Sequence, residues 1–133
     1  MPVTWSISHG EQLVVAIAEG EVVRGDIDGY LSAMIAEGAM PYRKLFDLTF
    51  APMALAAAAL RALGKRVTDY AKGGPVGPVA IVVGSELALD MARIFEAQAQ
   101  ANRDLRIFRD LAQARAWLDE AAPPTSGKPI APP

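Results

Sequence analysis

Two successive strand–helix units occupy the second half of the chain, and no other feature narrows the fold as far. Val79-Ala80-Ile81-Val82-Val83 is an unbroken apolar run closed by Gly84 and Ser85, and a helical pattern follows from Glu86 to about Ala101. Asp104-Leu105-Arg106-Ile107-Phe108 predicts a second strand. Asp110 then caps a helix carrying Leu111, Ala114, Trp117 and Leu118, with Gln113 at capping-box spacing. A parallel strand pair needs a long crossover, so strands that alternate with helices pair in parallel.

The first half opens differently. Val3, Trp5 and Ile7 alternate with Thr4, Ser6 and Ser8, the period of a half-buried strand. His9-Gly10-Glu11-Gln12 predicts a turn and Leu13 to Ala18 a returning strand, hence an antiparallel hairpin. Glu19-Gly20-Glu21 then interrupts the pattern, as a glycine at a bulge or kink does. Asp26 is placed to cap a helix whose apolar residues Ile27, Tyr30, Leu31, Met34 and Ile35 share one face, with Gly38 at its C-terminal stop. Tyr42 to Leu48 predicts the next strand. A helix beginning near Pro52 buries Leu60, Leu63, Val67 and Tyr70 and turns Arg61, Lys65, Arg66 and Asp69 to water. In the third helix Leu87, Met91, Ile94, Phe95 and Gln98 share a face, and Ser85 is the expected cap.

The expected class is therefore α/β: a mixed, mainly parallel sheet with an N-terminal antiparallel hairpin, in the order β-β-α-β-α-β-α-β-α. If the parallel strands lie in sequential order, their crossover helices fall on one face. Part of the other face is then left for the last helix, for a ligand, or for a partner subunit in a homodimer.

With 133 residues, 52% of them apolar, the chain is long enough for one hydrophobic core. We expect a single domain over residues 1–121 and a disordered Pro-rich tail over 122–133. The absence of cysteine excludes disulfides, zinc–thiolate sites and thiol nucleophiles. A formal charge of −2 argues against broad electrostatic binding to nucleic acid. The longest weakly polar stretch, Ala51 to Leu60, is shorter than the roughly 20 residues a membrane-spanning helix needs. The first residues lack a signal-peptide pattern, so a cytoplasmic location is expected.

Ligands of open α/β sheets bind beyond the carboxyl ends of the parallel strands. Those ends here are Asp47-Leu48-Thr49, Gly84-Ser85-Glu86 and Phe108-Arg109-Asp110. Asp47 is the leading candidate, a carboxylate at a strand end that either orients a partner's donor or accepts the backbone N–H groups of its own loop. Thr49 and Ser85 are hydroxyls beside helix starts, where they either meet an anion or cap the helix. His9, the only histidine, lies in a turn and leaves a triad or a histidine-based metal cluster to carboxylates alone. The Gly73–Pro78 loop has neither a Walker ending nor dinucleotide-binding glycine spacing and reads as a connector. No catalytic residue, metal ligand or cofactor is expected.

Several of these pieces together resemble a known family. Leu45-Phe46-Asp47-Leu48-Thr49, the Val79–Val83 strand, Met91-Ala92-Arg93-Ile94-Phe95 and Ile107-Phe108-Arg109-Asp110 followed by Ala114-Arg115-Ala116-Trp117-Leu118 are similar to the SpoIIAA-like proteins. These are small bacterial relatives of the STAS (sulphate transporter and anti-sigma-factor antagonist) domain. The resemblance runs from about Trp5 to Leu118 and implies a non-enzymatic regulatory or ligand-binding domain. In the antagonist branch, a serine in an Asp-Ser-Ser-Gly-like loop before the second helix is phosphorylated to switch partner binding. Here that region reads Thr49-Phe50-Ala51-Pro52-Met53, without the serine and glycine, so the phosphoswitch is not carried over intact. The architecture is also similar to lipid-carrier domains of the CRAL-TRIO type.

Two functional readings follow. In the first, the protein is a regulatory or protein-interaction module that binds through Asp47, Thr49, Phe50, Met53, Ser85 and Glu86. In the second, it holds a small apolar ligand or lipid, a reading prompted by Trp5, Phe50, Met53, Leu55 and the small residues Ala56–Ala59. An enzyme would have to rely on carboxylates such as Asp47 and Glu86.

Overall fold

Val3–Ser8 (β1) and Leu13–Glu19 (β2) pair antiparallel in register, Val3 opposite Ala18 and Ser8 opposite Leu13, as the period-2 pattern requires. This computed structural model describes residues 3–51, 57–72, 74, 76–99 and 105–121. After β2 come Arg24–Ala36 (α1), Arg43–Phe50 (β3), Ala57–Ala71 (α2), Val79–Val83 (β4), Glu86–Ala99 (α3), Leu105–Phe108 (β5) and Leu111–Glu120 (α4). The five strands form one sheet in the order β1-β2-β3-β4-β5, and every pair after the hairpin is parallel. The element order expected from the sequence is the one observed. The Pro52 helix start and the 122–133 segment lie outside the described residues.

Sequential order fixes the layering. The helices α1, α2 and α3, each crossing between parallel neighbours, lie on one face of the sheet and supply Tyr30, Leu31, Met34, Leu60, Leu63, Val67, Ala88 and Ala92 to the larger core. Among the described residues only α4 covers the other face, where Ala114 and Leu118 pack on Leu13, Leu45, Ala80 and Val82. Strand parity decides which residue meets which layer: β4 gives Val79, Ile81 and Val83 to the larger core, and Ala80 and Val82 to the smaller one. The helix α4 packs across β3, β4 and β5. At the β1–β2 end of that face, Thr4, Ser6 and Ile17 are exposed.

Local differences from the sequence reading have plain causes. The N-cap of α1 is Val23, not Asp26; Asp26 is the third helical residue, and its carboxylate reaches back to accept the Val23 N–H at 2.9 Å. One half of a capping box thus serves where an N-cap side chain was expected. Gly38 does follow the helix in the left-handed region, at φ 70°, and Gly20 after β2 sits at φ 73°. In α3, Leu87 is exposed and the line buried against the sheet is Ala88 and Ala92, because small residues let the helix approach closely. Ile35 is likewise exposed, which narrows the α1 stripe to Tyr30, Leu31 and Met34.

Candidate functional site

Four parallel strands end at one edge of the sheet, and every strand-to-helix connection leaves from it. This edge joins Gly20 to Val23, Thr49 to Ala51, Gly84 to Leu87 and Arg109 to Leu111. The ends are tied together. The Gly20 N–H donates to the Phe50 carbonyl at 3.1 Å, which fastens the end of β2 to the end of β3. Gly84 lies so near β3 that a Cβ there would stand 2.5 Å from the Thr49 carbonyl oxygen, so only glycine fits without displacing backbone.

Asp47 is 8% exposed, on the face of β3 opposite the three-helix layer, in the parity of Leu45. Its Oδ1 accepts the Thr49 backbone N–H at 2.9 Å and the Thr49 hydroxyl at 2.6 Å. The carboxylate thus ties its own loop, the structural alternative weighed for it from sequence. A phosphoryl group on Thr49 would lose that hydroxyl donor and face the carboxylate, a repulsive pairing. Ser85 accepts the Ala88 N–H through Oγ at 3.1 Å and caps α3. Glu86, one residue on, pairs with Arg109 across the ends of β4 and β5. Hydrogen bonding to that guanidinium, reinforced by its charge, holds the Glu86 carboxyl below the usual glutamate range. Phe50 is 66% exposed at the end of β3. Asp47, Thr49, Phe50, Ser85 and Glu86 therefore share one edge, while Met53 lies outside the described residues.

Of the apolar company on this edge, sequence reasoning singled out Phe50 alone as a binding residue. Six large apolar side chains are exposed among the described residues, and five of them, Ile17, Val23, Phe50, Leu87 and Leu111, belong to the last turns of strands or first turns of helices along this rim. The signal was present in the pattern: Leu87 is the second residue and Leu111 the first of a capped helix, where a side chain lies beyond the sheet rather than over it.

A second feature lies inside the larger core. A cavity of about 80 Å³ opens between the sheet and helices α1, α2 and α3. Phe46, Leu48 and Ile81 form its floor, Tyr30 and Leu63 part of its walls, and Met91 and Phe95 its α3 side. Tyr30 stacks edge-on against both Trp5 and Phe46, with ring centroids 5.6 and 5.1 Å apart, so aromatic packing shapes one wall. Lys44 also lines the cavity although it is only 3% exposed, and its Nζ donates to the carbonyls of Met40 and, at 2.9 Å, Tyr42. Of the residues that prompted the apolar-ligand reading, Trp5 packs edge-on against Tyr30 and Phe50 is on the rim, so neither lines the cavity, while Met53, Leu55 and Ala56 lie outside the described residues. Lys44 was legible as an anomaly, being a lysine in the same strand parity as Phe46 and Leu48.

His9 lies in the exposed hairpin turn, as expected, its Nδ1 2.7 Å from the Tyr42 hydroxyl. Among the described residues no three histidine or carboxylate side chains gather as metal ligands, and no helix is long and apolar enough to cross a membrane.

A crystal structure of an uncharacterized DUF3478-family protein with a SpoIIAA-like fold, from Shewanella loihica PV-4, superposes on the chain with a TM-score of 0.57. The match covers 87% of this chain and 93% of that one, at 19% sequence identity. The fold is SpoIIAA-like. No protein-family model and no curated protein matches the sequence. What the SpoIIAA-like fold brings to one edge is thus an apolar rim around a rigidly tied aspartate loop, and what it encloses is an apolar cavity with one buried lysine.

Proposed function

We propose that this protein is a non-enzymatic regulatory module, acting in the cytoplasm, that binds a protein partner through the rim at the carboxyl ends of β2 to β5. The observation that supports this reading best is Phe50, an aromatic ring 66% exposed between the rim's other apolar side chains. Exposed apolar patches edged by polar groups mark interaction sites, and aromatic anchors dominate their energetics. The Glu86–Arg109 pair supplies the polar edge. Asp47 contributes by holding the Thr49–Phe50 backbone in one conformation, so that little is lost to ordering when a partner docks.

The test is binding by variants that keep the fold. Phe50→Asp and Leu87→Asp place charges on exposed positions and should abolish partner binding without lowering the melting temperature. Asp47→Ala should weaken binding by loosening the loop. A partner bound equally by wild type and by both aspartate variants would show that the rim is not the interface.

A second reading, a domain that holds a small apolar ligand, is favoured by the cavity under α1, α2 and α3.

A further inference from the structure

The sheet has two edge strands, and they are not alike. At one edge, β5 is four residues long, and its exposed Arg106 lies over the Trp117 ring with Cζ 5.6 Å from the ring centroid. A short strand with a charged side chain resists pairing with another chain. At the other edge, β1 is six residues long and follows β2 in unbroken register. Val3–Ser8 carries no charge, no proline and no bulge. Antiparallel pairing engages the N–H and C=O groups of alternate residues, so those of the residues between them point away from β2. An edge of this kind is a template for one more strand.

Which strand fits it is decided by parity. Val3, Trp5 and Ile7 turn to the α1 side, Val3 buried and the other two half-buried, with Trp5 edge-on to Tyr30. Thr4 and Ser6 are exposed on the opposite face, and Ser8 shares their parity. Two copies joined antiparallel at this edge are related by a two-fold axis perpendicular to the sheet. Only that rotation reverses the strand, brings edge to edge and keeps each face on its own side. Residues opposite one another across such a seam have the same parity, whether the axis passes Trp5 or Ser6. Hydroxyl then meets hydroxyl and apolar meets apolar throughout, pairings that each stabilise a sheet, and no like charges are opposed. A second copy supplies this match by symmetry, whereas an unrelated strand meets it only by sharing the alternation.

We propose that β1 is a self-association edge, at which a second copy of this chain adds its own β1 antiparallel and makes one continuous sheet. Because the strands reverse across the axis, the two rims at the carboxyl ends of β2 to β5 point in opposite directions and both stay free. The edge is therefore independent of whatever the rim binds.

The experiment is sedimentation velocity on the full chain and on two charge variants of exposed Ser6. A seam of one strand pair is smaller than a standard interface, so wild type should be monomeric at low micromolar concentration and dimeric by about 0.5 mM. Ser6→Lys and Ser6→Glu each bring like charges together across the seam, directly or on the diagonal, and each should weaken self-association roughly 10-fold. Mixed in equal amounts, the two should associate with each other within about 3-fold of the wild-type affinity, a rescue that damage to the fold would not give. Amide exchange on wild type is the second readout and needs no variant: the outward β1 amides should slow as concentration rises, and those of β5 should not. Wild type that stays monomeric at about 0.5 mM overturns the proposal, whatever else pairs with the edge. So does a dimer whose affinity both variants leave unchanged, or one that forms without slowing the β1 amides.

Discussion

Leu63→Ala is the most informative single perturbation of the core, because the side chain is 1% exposed and already borders empty space. Three carbons leave the interior, which at about 0.8 kcal/mol each costs roughly 2.4 kcal/mol. The vacated space joins the existing cavity of about 80 Å³ instead of being filled by neighbours. Each further ~40 Å³ of residual cavity costs about 1 kcal/mol. The total expected loss is about 4 kcal/mol, in the upper half of the range for buried Leu→Ala changes. Urea unfolding should show a lower midpoint with an unchanged slope, since the surface exposed on unfolding is nearly the same. The enlarged cavity also approaches the ~150 Å³ at which an apolar cavity accepts benzene. Benzene should therefore raise the variant's midpoint and leave wild type nearly unmoved. A loss below about 2 kcal/mol, together with no response to benzene, would mean that α2 collapses onto the sheet and that the cavity is not a fixed feature of the core.

Other consequences are local. Gly77→Ala would place a Cβ 2.2 Å from the Tyr42 carbonyl oxygen and 2.4 Å from that of Pro41, both backbone, and should lower stability by about 3 kcal/mol in chemical denaturation. Gly29→Ala, on the exposed side of α1 with nothing within 4 Å of the new methyl, should raise stability by roughly 0.5–1 kcal/mol in the same assay. Buried Arg43 donates from Nη1 to the Leu118 carbonyl and from Nη2 to the Glu11 carbonyl, joining the end of α4 to the hairpin turn. Arg43→Lys cannot reach both and should cost about 1–2 kcal/mol, with amide exchange in α4 rising first. The Glu86 carboxyl, held down by Arg109, should titrate below an ordinary glutamate in carbon-detected NMR and return to the ordinary range in Arg109→Ala. Its folded pKa is depressed, so the small stabilisation is present above the unfolded pKa and lost as pH falls through the folded one. An Arg109→Ala variant that leaves the Glu86 titration unmoved would exclude the pair as the cause.

The layout was legible wherever one period governed a segment. The alternation at 3–8, the apolar run at 79–83 and the helical spacing at 27–34 each left a single solution, and the chain order then fixed parallel pairing. Which helix face is buried was harder to read. In α3 the sequence spacing puts the larger residue Leu87 on the core face, but the helix begins at the sheet edge, so its first turn overhangs the rim; Ala88 and Ala92 are fully buried and Met91, Ile94 and Phe95 are partly buried against the core. Capping was misplaced at Asp26 because an aspartate satisfies the same orphan N–H groups from the third helical position as from the cap. The rim candidates from Asp47 to Phe50 and at Ser85 and Glu86 followed from a topological rule and do fall on one edge. The cavity did not follow from any local pattern, because it arises where three helices fail to fill the space over β3 and β4. Its one trace in the sequence was a lysine where parity demanded an apolar residue.

Site-specific photo-crosslinking in living cells tests the interaction reading most directly. A diazirine amino acid at position 50 should yield one discrete protein adduct, and the same probe at exposed position 35, at the far end of α1, should not. Leu87→Asp should erase the adduct at position 50. An adduct at 35 as strong as that at 50, or a position-50 adduct that survives Leu87→Asp, would contradict the assignment of the rim as the partner-binding face.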